Sequence, residues 1–127
     1  ESEMIRLAVP NLTKAHLAEA HRHLEAFATE RDSARWGEVN RNFHYSLYEA
    51  ADRAYYLQII RSSLDRVDRY LRAQLTLTDG MRRAKSEHLK IYMACENGNA
   101  EEAARLTREH ILEAGRSLLA FLEKRRG

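Results

Sequence analysis

The chain is short of everything that breaks or staples a fold. Its 127 residues include one cysteine (Cys95), one proline (Pro10) and five glycines. A single thiol cannot build a disulfide framework, so a reducing compartment, the cytoplasm, is expected. So few breakers favour long helices joined by short connections. No run approaches the roughly 18 apolar residues of a membrane span. The opening Glu1-Ser2-Glu3-Met4-Ile5-Arg6 has neither the basic nor the apolar region of a signal peptide. An excess of one charge is missing too. Lys and Arg number 21 against 19 Asp and Glu, a formal net charge of +2, which gives no reason by itself to expect nucleic acid. There is no glycine-rich phosphate loop and no glycine elbow around Ser62 or Ser63. Nothing beside Cys95 marks it as a nucleophile.

What is present is an ordinary globular balance, 44 % apolar and 31 % charged. The length suits one domain over residues 1–127 with a real core. Apolar residues recur at helical spacing nearly throughout, and no segment alternates as a strand would. Residues 2–8 read as the tail of a helix stopped by Pro10, so the chain is expected to be a piece of something longer. Thr13 or Asn11 is expected to cap a second helix with Leu17, Ala20, Leu24 and Phe27 inward. Asp32 or Ser33 caps a third over roughly 33–51, with Trp36, Val39, Phe43, Leu47 and Ala50 inward. Asp52 is expected to cap a fourth over roughly 53–77, striped by Leu57, Ile60, Leu64, Val67, Leu71 and Leu75. Thr78 and Asp79 start a fifth, ended by Gly98 in a left-handed cap. Asn99 and Glu102 open the last helix, which runs to about Lys124. The expected fold is all-α, an antiparallel bundle of about six helices.

The informative residues are polar groups where this periodicity calls for apolar ones. Asn40 and His44, four apart, stack on one face of the third helix beside Trp36, Phe43 and Leu47. His88 shares a face of the fifth helix with Met81, Ala84, Ile91 and Cys95. His110 shares a face of the last with Ala103, Leu106, Ala114, Ser117 and Phe121. Each buried polar group costs about 1–3 kcal/mol if left unpaired, and imidazoles converging on a metal satisfy their acceptor nitrogens together. Three nitrogens and one oxygen suit Zn, Ni, Mn or Fe. The plain alternative is three hydrogen-bonded core histidines, since no short His-x-x-x-His chelate is present. His16, His21 and His23 flank the apolar face of the second helix and read as surface residues.

These residues resemble a known pattern. Asn-x-x-Phe-His at 40–44, Glu87-His88 followed by Ile91 and Ala94, Asn97-Gly98-Asn99, Ala103 and His110 are similar to the FCD domain. That is the C-terminal effector-binding domain of the FadR branch of GntR-type bacterial transcription regulators. The likeness extends from Leu7-Ala8 to the last helix. It implies that His44, His88 and His110 are metal ligands and that Asn40 stands where the family most often has a ligating Asp. An Asn carbonyl brings no charge, so weaker metal binding is expected. Arg53 departs as well, where many members have Asn. The resemblance also implies a small carboxylic-acid effector beside the metal, a homodimer, and operator DNA bound only through a winged helix–turn–helix preceding this domain. No membrane partner is expected.

An anionic effector in an apolar bundle calls for a cation besides the metal, and Arg61, Arg66, Arg69 and Arg72 lie on the fourth helix. Arg72 is the first candidate because, with Arg61 and Asp68, it flanks the apolar stripe by helical angle. Arg69 is second, because an Arg-Tyr pair such as Arg69-Tyr70 recurs in the family. The plain reading is a solvated face paired with Asp65 and Asp68. The leading expectation is a ligand-sensing regulatory domain rather than an enzyme. A three-histidine metalloenzyme would want a carboxylate beside the metal. Glu87 is adjacent to His88, but helical neighbours point about 100° apart, so it is expected to face elsewhere. A metal-free helical interaction module is the third possibility. Tyr45, Tyr48, Tyr55 and Tyr56 are expected to be exposed and available to a dimer interface, the plain alternative being tyrosines partly buried on the bundle surface.

Overall fold

The computed structural model describes residues 1–64 and 80–126, with side chains described as far as Lys124. It is an all-α bundle of six helices, with no strand among the described residues. Helix α1 spans Ser2–Ala8 and passes into a 3-10 turn at Val9–Asn11 that contains Pro10. The ring fits that turn because its fixed φ and missing N–H suit a first turn. Helix α2 spans Lys14–Thr29. Thr13 is its cap: the hydroxyl accepts from His16 N–H, and the His16 ring accepts from Thr13 N–H. The other cap candidate, Asn11, instead donates from Nδ2 to the carbonyl of Ala50 at 3.1 Å.

The predicted third helix is an α-helix with 3-10 ends: Ser33–Arg35, then α3 at Trp36–Tyr48, then Glu49–Ala51. Asp32 caps it by accepting from Ala34 N–H at 3.0 Å. Asp52 departs from expectation. With φ 53° and ψ 48° it sits in the left-handed region and closes the turn at Glu49–Ala51, a stop rather than a start. Short polar side chains tolerate that conformation better than others. Arg53 then holds its guanidinium against the carbonyls of Ala51 and Asp52 at 3.3 Å. Helix α4 is described over 54–64, where Leu57 and Ile60 pack on the core.

Helix α5 spans Gly80–Glu96 and α6 spans Ala100–Arg126. Between them Gly98 adopts φ +70°. Its N–H donates to the Cys95 carbonyl and Asn99 N–H to that of Ala94, at 3.0 and 2.9 Å. This doubly bonded stop satisfies carbonyls that the helix end would otherwise orphan. Asn99 then caps α6 by accepting from Glu102 N–H at 3.1 Å. The hairpin is antiparallel: Glu87 of α5 meets His110 of α6, and Arg83 one turn earlier meets Glu113 about one turn later.

The main packing partners are α2 with α3, α1 with α6, α5 with α6, and α2 with α5. Ile5, Phe43, Leu47, Tyr48 and Ile91 are fully buried at the centre. Each large apolar side chain removed from water contributes about 1.5–3 kcal/mol. A smaller cluster of Phe27, Val39 and Ala84, flanked by Trp36 and Met81, closes one end. Tyr48 is not an exposed residue. It is fully buried, and its hydroxyl donates to Glu1 Oε1 at 2.8 Å, tying α3 to α1. Tyr45 is half-buried, while Tyr55 and Tyr56 are exposed as expected.

Candidate metal centre

Helices α3, α5 and α6 each turn one histidine inward, and the three meet. His44 is 3 % exposed, His88 0 % and His110 9 %. One ring nitrogen from each lies within 4.8 Å of the others. The ring centroids are 4.8 Å apart for His44–His88, 5.0 Å for His88–His110 and 5.3 Å for His44–His110. The surrounding wall is aromatic. Phe27 and Phe43 lie 4.5 and 4.8 Å from the His88 ring, and Tyr48 lies 6.0 Å from that of His44.

This wall leaves nitrogen atoms in an apolar place. Nδ1 of His44 and both Nδ1 and Nε2 of His88 are buried with no hydrogen-bond partner among the described residues. Burial pushes the pKa of each ring well below the usual histidine value. Neighbouring rings add to this, His110 acting on His44, and His44 and then His110 acting on His88. Both imidazoles are therefore held neutral at pH 7, with lone pairs available. Neutral imidazole is the form that binds a metal. Three converging imidazoles, two of them with buried nitrogens that no described residue satisfies, form a donor set that fits a borderline divalent ion.

His110 differs from the other two. Its Nδ1 lies 3.1 Å from Glu87 Oε1, in a contact where the ring is 11 % and the carboxylate 25 % exposed. The expectation that Glu87 faces elsewhere is thus overturned. It does diverge from His88 by about a quarter turn, yet that direction is where α6 packs, so it reaches the histidine of the neighbouring helix. Thr107, one turn before His110, is also fully buried with no partner for its hydroxyl among the described residues. Helical spacing puts Leu106 on this stripe. The structure puts Thr107 at its centre and leaves Leu106 half-buried.

Asn40, one turn before His44, is buried at 7 % exposed on the same helix. Arg61 is half-exposed, 3.9 Å from Glu49 Oε1 and 4.8 Å above the ring of Tyr45. Arg69 and Arg72 lie outside the described residues, as do Arg66, Asp65 and Asp68. Of the other histidines, His16 serves the α2 cap, and His21 and His23 pair along the helix with Glu25 and Glu19. Cys95 is buried, its thiol pushed up to about 12 by desolvation, which suits a core residue and not a nucleophile. Two surface grooves flank the start of α6, both lined by Asn99, Glu102 and Arg105; the three histidines line neither. No helix among the described residues is long and apolar enough to cross a membrane.

Neither a curated protein nor a solved structure matches the chain. The family model of the FCD domain matches residues 1–113, nearly the whole length and all three histidines. This chain belongs to the FCD domain family, the regulatory effector-binding domains of GntR-type regulators.

Proposed function

We propose that this chain is a ligand-sensing domain in which His44, His88 and His110 hold a divalent transition metal and a small carboxylic-acid effector binds beside it. The observation that carries this reading is the meeting of three buried imidazoles from three helices, with three of their nitrogens unpartnered among the described residues. Asn40 Oδ1 is proposed as the oxygen donor, one turn from His44 on the same buried face. Bound there, zinc, nickel, manganese or iron supplies a Lewis-acidic position for a carboxylate oxygen. The chain's own part is to keep two imidazoles neutral, to exclude water with Phe27, Phe43 and Tyr48, and to supply a second cation. For that cation Arg72 is proposed first and Arg69 second, on the sequence argument alone.

Signalling requires that the effector bind one helix arrangement better than another. Because α3, α5 and α6 each contribute one ligand, an effector at their junction acts on the relative placement of three helices. A homodimer carrying paired winged helix–turn–helix domains would convert such a shift into altered operator binding, in the cytoplasm. An enzymatic reading needs a carboxylate free to act as a general base, whereas Glu87 is engaged by His110. The test is elemental analysis of the purified chain before and after chelation, with a melting curve for each sample. About one equivalent of metal, a lower melting temperature after chelation, and stabilisation by small carboxylic acids only in the loaded sample are expected. Absence of metal with no response to added Zn, Ni, Mn or Fe overturns the reading.

A further inference from the structure

Among the three histidines, only His110 has Nδ1 tied to a protein carboxylate in the described structure; Nδ1 of His44 and of His88 has no partner there. A carboxylate accepts and does not donate, so the Nδ1 nitrogen of His110 carries the proton. In a neutral ring the lone pair then resides on Nε2. The contact is sheltered, and a second tie lies one turn away, where Arg83 Nη1 donates to Glu113 Oε1 at 2.8 Å. The two ties hold α5 and α6 in one register, which also sets His88 against His110.

We infer that Glu87 is a positioning residue of this centre: it locks His110 in the Nδ1–H tautomer and aims Nε2 as a donor atom. The inference rests on the metal reading of the preceding section and adds to it a group with no direct role as ligand. Carboxylates behind ligating imidazoles orient the ring and raise its basicity, and their loss typically weakens a metal site by about 10–100-fold. A merely structural tie between α5 and α6 would alter stability without altering affinity.

Zinc titration against a chromophoric chelator, on the wild-type chain, Glu87→Ala and Glu87→Gln, separates these accounts. Glu87→Ala is expected to bind zinc about 10–100-fold more weakly. Glu87→Gln, which keeps an acceptor but loses the charge, is expected to fall between it and wild type, and it carries the test should the alanine variant fail to fold. Long-range proton–nitrogen NMR of the zinc-free wild type is expected to show His110 as the Nδ1–H tautomer, and the alanine variant a mixture. Wild-type zinc affinity in both variants overturns the inference, as does an Nε2–H tautomer in the wild type. A wild-type chain that takes up no zinc overturns the metal reading itself, and this inference with it.

Discussion

Replacing His88 by leucine should move the stability of the metal-free and metal-loaded protein in opposite directions. His88 is 0 % exposed, and both ring nitrogens lack a partner among the described residues. Each such atom costs about 1–3 kcal/mol, so two impose roughly 2–6 kcal/mol on the metal-free fold. Leucine is close in volume and has no polar atom to desolvate. The substitution forfeits the ring contacts with Phe27 and Phe43, about 0.5–1.5 kcal/mol each. The balance favours the variant by roughly 2 kcal/mol, a rise in melting temperature of about 6–10 °C for a domain of this size. With zinc the order reverses. A ligand at 100 times its Kd adds about 2.7 kcal/mol to the wild type, and the variant, short of one imidazole, should gain almost none. Thermal melts followed by circular dichroism, in EDTA and in excess zinc, read both effects. A variant at least 1 kcal/mol less stable than wild type in EDTA would show that the His88 nitrogens are satisfied. An undiminished zinc shift would show that His88 is no ligand.

Asn40→Asp should tighten zinc by about tenfold, because it adds a charge one turn from His44, and should destabilise the metal-free chain by burying that charge unpaired. A chelator competition showing looser binding would remove Asn40 from the ligand set. Metal-free stability should fall as pH drops below about 6.5. The folded-state pKa values of His44 and His88 lie well below the unfolded value, chiefly through burial, so the unfolded chain binds more protons there. Stability is fully present above that unfolded value and is lost toward the folded one, by up to about 1.4 kcal/mol per group per pH unit. Urea midpoints between pH 5 and 8 check this, and a flat profile from pH 5 to 6.5 would contradict it. Gly98→Ala should cost about 1 kcal/mol. An added Cβ meets nothing within 4 Å, so only the left-handed backbone at φ +70° is penalised. A loss of a few tenths or less, by urea titration, would mean that the turn does not hold that conformation.

Single-helix angles were enough to place the three histidines. On α3, α5 and α6 each imidazole occupies the angular position of a core residue, and the structure buries all three. The same angles failed for residues whose surroundings belong to another helix. Glu87 diverges from His88 as a helical wheel says, but the wheel does not contain α6, and His110 is what it meets. Tyr48 looked like a surface residue because nothing in its own helix covers it; Glu1 and α1 do. At the boundaries, Asp52 carries the composition of a helix start and the backbone of a stop, since a short polar side chain serves either use.

The sequence by itself determined the fold class, most helix boundaries, and which residue of each stripe is polar. Those follow from local rules: a 3.6-residue repeat, caps that satisfy end groups, and a glycine where φ is positive. Only the tertiary structure decided that the three imidazoles share one place, that nitrogens of His44 and His88 stand without partners among the described residues, and that Glu87 backs His110. The period fixes the direction of a side chain about its own axis. Which atoms lie at the far end of that direction depends on helix register and crossing, set by the packing of side chains distant in the chain.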